Sequence, residues 1–306
     1  MPTVPDRCEQ VSLTIDDLRP TVTLLVDQSG SMRSGYPTRM SGESRWTIVG
    51  QALLDEKTGV VQALQHSMQF SLVFYTSHNG GLGNTCPLLS QVSAATGNYA
   101  AIRKLYDSSS PDDDTPTGPA LARVVTDIRQ AKRLGPEVIL LVTDGDPDTC
   151  DVPDPQTDAA QAAAVSAAAT AYQAGIDLYV LGVSDDISAD KLQQLANAGQ
   201  GKALDLRYGQ DMNAAQPYQA SSDLEGLKEQ LRDILAQVPL CEVALDRDVT
   251  PEEVASGRVV LDGRGLVLGA NDGWRLTDPR HLQITGRACD ELRAQGKRLT
   301  VRISCD

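Results

Sequence analysis

The chain has 306 residues, 41 acidic against 27 basic, and a formal net charge of −14, which argues against nucleic acid and anionic membrane surfaces as partners, since both need basic patches. At roughly 100 to 200 residues per domain, this length allows one large domain and a small one, with ample chain for a buried core. Aromatic residues make up only 4%, so helices and sheet are expected to pack through alanine and aliphatic side chains.

The first residues, Met1-Pro2-Thr3-Val4-Pro5, are neither basic nor a long apolar run, so an export signal is expected to be absent or removed, and no stretch reads as a membrane span. Residues 8 to 18 alternate Val11, Leu13 and Ile15 with polar residues, the pattern of a half-exposed strand. Val22, Leu24, Leu25 and Val26 form a continuous apolar run that reads as a strand covered on both faces. It ends in Asp27-Gln28-Ser29-Gly30-Ser31, at the carboxyl end of a strand, where open α/β sheets bind ligands. A Gly/Ser-rich loop over 34 to 44 follows. Residues 45 to 64 carry Trp46, Val49, Leu53, Val60 and Leu64 at helical spacing, broken near Thr58-Gly59.

A buried strand is expected over 69 to 75, a turn at 78 to 83, an edge strand over 88 to 92 and a short helix over 99 to 106. Ser108-Ser109-Ser110-Pro111-Asp112-Asp113-Asp114 is an acidic loop leading into Thr115, and 118 to 132 reads as a helix with Leu121, Val124, Val125 and Ile128 on one face. A second buried strand, 137 to 143, ends in Thr143-Asp144-Gly145. Asp146, Asp148, Asp151, Asp154 and Asp158 follow, but the glycine and distal glutamate of an EF-hand are missing. Residues 156 to 174 form an alanine-rich helix closed by Gly175. A strand over 176 to 183, a helix over 188 to 198 with Ser188 as its N-cap, a last strand over 202 to 206 and an amphipathic helix over 222 to 237 complete an alternation that implies a doubly wound, mostly parallel α/β sheet.

From residue 239 the grammar changes. Short apolar runs separated by Asp262-Gly263 and Asn271-Asp272-Gly273 read as hairpins, and Trp274, Leu282, Ile284, Leu299, Val301 and Ile303 supply a small core. A β-rich module of this size needs staples or a docking partner. The charge is uneven too: residues 1 to 238 hold 30 acidic and 17 basic residues, whereas 239 to 306 hold 11 and 10. The expected organisation is an N-terminal strand or extension over 1–19, a large domain over 20–238 and the β-rich module over 239–306.

Asp27, Ser29 and Ser31, with Asp114-Thr115-Pro116-Thr117-Gly118 before a helix and Thr143-Asp144-Gly145 after a strand, make the sequence resemble the von Willebrand factor A (vWA) family and its metal-ion-dependent adhesion site (MIDAS). The resemblance covers roughly residues 20 to 238. It implies that Asp27, Ser29, Ser31, Thr115 and Asp144 converge on one divalent cation. Thr117 is a rival for Thr115, but Thr115 has the family's spacing to Ala120 and Leu121. Asp27, Ser29 and Ser31 offer only hard oxygen donors, which suit Mg2+, Mn2+ or Ca2+ and not zinc or copper; Mg2+ is expected first.

Catalysis has little support in the sequence. No His or Glu neighbours the motif, the three histidines are isolated, and Ser29 has no triad partner in view. The resemblance instead implies that the cation captures an acidic side chain of a protein partner, or a glycan. The small module is similar to cysteine-bearing tails of secreted bacterial vWA proteins, which implies a bacterial cell surface or secretion. The alternative is an intracellular vWA subunit coupled to an ATPase, as in magnesium-chelatase-like relatives, and a third reading gives the cation a structural role only.

Six cysteines without a Cys-x-x-Cys pair lean toward disulfides and an oxidising compartment. The expected pairs are Cys86 with Cys150, both in loop-like stretches, and Cys289 with Cys305, which bracket the last helical turn and strand. Cys8 and Cys241 are left to each other.

Overall fold

The structure is a computed structural model that describes residues 9–14, 18–36, 38, 42–78, 85–133, 135–150, 158–219, 223–245, 248–292 and 297–303. They fall into two compact units: a larger one, Thr21–Lys132 with Glu137–Val238, and a smaller one, Met1–Pro20 and Arg133–Pro136 with Pro239–Asp306. The N-terminal stretch, treated above as a separate extension, contributes its strand β1 (Glu9–Thr14) to the smaller unit.

The larger unit alternates strand and helix: β2 (Thr21–Asp27), α1 (Arg45–Leu54), α2 (Val60–Leu64), β3 (Gln69–His78), β4 (Thr85–Ala95), α3 (Tyr99–Asp107), α4 (Thr117–Ala131), β5 (Glu137–Thr143), α5 (Asp158–Gln173), β6 (Ile176–Gly182), α6 (Ala189–Gly199), β7 (Tyr218–Gln219) and α7 (Leu224–Ala236). The sheet order is β4-β3-β2-β5-β6-β7. Only β4 runs antiparallel to its neighbour. Every residue of β2 and of β5 is buried, because helices cover both faces and leave no position for a polar alternation. On β3 the pleat sends Val73 and Tyr75 into a core with α4, α5 and α6. Phe74, on the opposite face, meets Trp46 of α1 and Tyr106 of α3 with ring centroids 4.9 and 5.3 Å away.

Local chemistry explains the helix boundaries. Ser44 caps α1 by accepting from Thr47 N, and Asp223 caps α7 by accepting from Gly226 N, each satisfying one of the amides that a helix start leaves unpaired. Between α1 and α2, Asp55 Oδ1 accepts from the amides of Lys57 and Thr58 and from the Thr58 hydroxyl, which turns the expected break at Thr58-Gly59 into a closed loop. Helix α5 packs through Ala160, Ala164, Ala167, Ala168 and Ala171, all buried. These small side chains let α4 approach so closely that a Cβ on Gly118 would lie 2.9 Å from the backbone of Ala163 and Ala164.

Two expectations are corrected here. Residues 202 to 206 form no strand; Lys202 N and Leu206 N donate to Asn197 O and Ala203 O in turns. The stretch has no apolar face to bury, and Leu204 stays 45% exposed. The last strand is instead β7, anchored by the buried Tyr218. The edge strand expected over 88 to 92 extends to the 11 residues of β4.

The smaller unit contains β8 (Glu242–Ala244), α8 (Pro251–Ser256), β9 (Arg258–Leu261), β10 (Arg264–Leu268), β11 (Gly273–Asp278), β12 (His281–Ile284), α9 (Arg287–Leu292) and β13 (Arg298–Ile303). With β1 they form a sheet of order β1-β13-β9-β10-β11-β12-β8 around Trp274, Leu282, Leu299 and Val301. Asp262 and Gly263, at φ of 47° and 85°, make the expected hairpin between β9 and β10, since both central residues of its tight turn need positive φ. Asn271-Asp272-Gly273 does not make one: β10 and β11 run parallel. Asp272 Oδ1 accepts from Ala288 N at 2.6 Å, so this loop is committed to the start of α9.

Cys86 pairs with Cys150, Cα to Cα 5.5 Å. The pairing expected for Cys289 is corrected: its partner is Cys241, Cα to Cα 5.6 Å. Neither Cys289–Cys305 nor Cys8–Cys241 can then form. The tertiary reason is that Ile284 N donates to Cys241 O, bringing the chain just before β8 beside β12 and the helix that follows it. Cys8, Cys305, Asp151, Asp154 and most of the turn expected at 78 to 83 lie outside the described residues.

Candidate metal centre

The parallel register creates the site. Val26 stands opposite Val142, Asp27 opposite Tyr75, and Thr143 opposite Gly182, so the loops after β2, β3, β5 and β6 all leave from one edge of the sheet. That is the edge where a doubly wound sheet presents ligands.

At its centre four of the five expected residues are joined by hydrogen bonds. Ser29 and Ser31 hydroxyls are 2.9 Å apart, and Ser31 Oγ donates to Asp144 Oδ1 at 2.7 Å. Asp27 Oδ1 accepts from Ser29 N at 2.8 Å, while its Oδ2 accepts from Thr143 Oγ1 at 2.7 Å. Thr115 sits on the neighbouring loop, which is stitched to this cluster through its backbone. Gly30 N donates to Asp113 O, Asp112 N to Gln28 O, and the Thr76 hydroxyl to Asp112 O. Thr115 N donates to Asp148 Oδ2 at 3.2 Å. Its rival Thr117 lies 3.2 Å from the buried Tyr75 hydroxyl. The Cys86–Cys150 bridge ties the loop after Asp144 to the start of β4.

Burial sets the electrostatics. Asp27 and Asp144 are 0% and 1% exposed, and the Asp27 pKa is raised, first by burial and then by the charge of Asp144. The Tyr75 hydroxyl is also pushed up by burial and by Asp27, so it stays protonated. Two buried carboxylates that repel each other are a costly arrangement in a protein interior. A divalent cation offsets that cost, and the donors present, carboxylate and hydroxyl oxygens, are the hard oxygens such a cation takes. Among the described residues no three His, Cys, Asp or Glu side chains cluster as metal ligands; the set fits a site built on two carboxylates with hydroxyls.

Several participants escape a reading along the chain. Arg45, 1% exposed, donates Nη1 to Asp144 Oδ2 at 2.7 Å and Nη2 to Asp186 Oδ2 at 2.6 Å. The sequence marks it only as the start of a helix. Thr143 was within reach, since it directly precedes Asp144. Asp146 and Asp148, which by spacing resemble a calcium loop, are separately employed. Asp146 accepts from Ser188 N and from Lys191 Nζ, while the Ser188 side chain, expected to cap α6, accepts no cap hydrogen bond.

A doubly wound α/β domain with a polar cluster of this make-up carries its hard oxygen donors at the carboxyl edge of the sheet, where such folds bind ligands. The chain belongs to the von Willebrand factor type A domain family, whose model matches residues 21–216. Among solved structures it is similar to the PilB minor pilin from Streptococcus sanguinis, at 17% identity and a TM-score of 0.53, over 72% of this chain and 61% of the pilin. It is also similar to the pilus adhesin SpaC from Lactobacillus rhamnosus GG in its open conformation, at 13% identity and a TM-score of 0.52. That match covers 94% of this chain and 38% of the adhesin. The chain thus spans less than two thirds of either neighbour. No curated protein matches it. Among the described residues no helix is long and apolar enough to cross a membrane.

Proposed function

We propose that Asp27, Ser29, Ser31, Thr115 and Asp144 hold one divalent cation, Mg2+ first with Mn2+ and Ca2+ as alternatives, and that the loaded site captures an Asp or Glu side chain of a partner protein, or a surface glycan. The observation that carries this is the hydrogen-bonded string Ser29–Ser31–Asp144 beside the fully buried Asp27. Two carboxylates only match the dication's charge and three neutral hydroxyls add none, so an open position on the ion still attracts an anionic oxygen. Binding is preferred to turnover. Both oxygens of Asp144 are held by Ser31 and Arg45, and both of Asp27 by Ser29 and Thr143.

The setting proposed is extracytoplasmic, on a bacterial surface or secreted. The two disulfides among the described residues support an oxidising compartment, and the similar proteins are named as a minor pilin and a pilus adhesin. The intracellular, ATPase-coupled alternative requires free thiols, so intact mass before and after alkylation, with and without reductant, separates the two.

The direct test is calorimetric titration of Mg2+, Mn2+ and Ca2+ into the wild type and Asp27→Ala. Binding in the wild type and its loss in the variant are expected. Equal heats from both proteins would sink the assignment.

A further inference from the structure

Arg45 is the most deeply buried arginine among the described residues, and it pairs with Asp144, one of the two buried carboxylates of the site. Its Nη1 grips Asp144 Oδ2 while Ser31 Oγ holds Asp144 Oδ1, so both oxygens of that carboxylate are fixed and Oδ1 is held on the side of the serine hydroxyls. Nη2 continues to Asp186 on the loop after β6, and Nε is buried without a hydrogen-bond partner. An interior guanidinium with one donor unsatisfied is expensive to bury for packing alone. Its placement makes sense as charge compensation.

We propose that Arg45 is the resident counter-cation of this site, a positioning residue that supplies in the ion-free protein the positive charge the buried Asp144 requires. It keeps Asp144 aimed while the ion is away. When the ion enters, the guanidinium remains one carboxylate away and weakens its binding, so the site loads and empties reversibly without losing its shape. The weakening of ion binding rests on the cation reading above; the compensation of Asp144 does not.

The experiment has two arms on the full chain. In chelator, thermal melts compare the wild type, Arg45→Gln, Asp144→Asn and the double variant. Removing one partner of a buried ion pair is expected to lower Tm by about 10 °C, and Asp144→Asn in the Arg45→Gln background is expected to recover at least half of that loss. A structural arginine that only fills space shows no such recovery, and its absence would overturn the proposal.

In the second arm Mn2+ is titrated into the wild type and Arg45→Gln, with Asp27→Asn as the non-binding control. Affinity is expected to rise about tenfold in Arg45→Gln, equivalent to a shift of ~1.4 kcal/mol. Weaker or unchanged Mn2+ binding in that variant would overturn the competition between guanidinium and ion. If the wild type takes up no Mn2+ while the melting cycle behaves as expected, the adhesion reading falls and the counter-cation role stands.

Discussion

The two compact units solve the problem of burial in opposite ways. In the larger one, parallel strands lie between helices, and its interior accepts Asp27, Asp144, Arg45, Lys228 and a series of hydroxyls and amides. Among the described residues every buried polar or charged side chain belongs to this unit. The smaller one buries apolar side chains around Trp274, together with the half-cystine Cys241. A large aliphatic core leaves enough surplus stability for a costly polar cluster at one edge, whereas a small β-rich unit spends its stability on holding itself together.

The contrast is most easily broken at Trp274, 1% exposed. Trp274→Ala is expected to cost roughly 3–5 kcal/mol of the smaller unit's stability, measured by chemical denaturation. A loss below ~1 kcal/mol would mean that its core is not organised around this ring.

A smaller effect sharpens the same contrast from the other side. Gly118→Ala, placed against the Ala163–Ala164 backbone, overpacks the α4–α5 contact next to the Thr115 loop. It is expected to destabilise by about 1–3 kcal/mol and to weaken cation binding by calorimetry. A variant as stable as wild type would show that α5 yields without strain.

A third effect is electrostatic. Because the folded-state pKa of Asp27 is raised, its contribution to stability is full below the ordinary aspartate value near 4 and is lost as pH rises through the folded value, by at most ~1.4 kcal/mol per pH unit. In chelator, stability should therefore fall with rising pH over that window, and Asp27→Asn should remove that part of the slope. Saturating divalent cation should oppose the trend, since it favours the ionised carboxylate. An unchanged slope in Asp27→Asn would place the titration elsewhere.

How much of this can be read along the chain follows from distance. Asp27, Ser29 and Ser31 lie within five residues at the end of an apolar run, and Thr143 and Asp144 end another, so strand, loop and donor chemistry are contiguous there. The alternation of strand and helix, and with it the doubly wound sheet, rests on hydrophobic period, which is local. Turn chemistry is local as well, and it succeeds at Asp262-Gly263. It fails at Asn271-Asp272-Gly273, where the same residue types serve a helix start 16 residues away.

Everything set by long-range pairing needed the folded chain. Arg45 reaches Asp144 and Asp186 across 99 and 141 residues, a pairing that no periodicity announces. Cys241 found Cys289 because the chain before β8 is hydrogen-bonded beside β12, not because of spacing. β1 joined the opposite end of the chain, Glu9 facing Ile303, since an amphipathic strand satisfies its backbone against whichever edge the core offers. Motifs report which chemistry the chain carries; packing decides which charges and strands must share a neighbourhood.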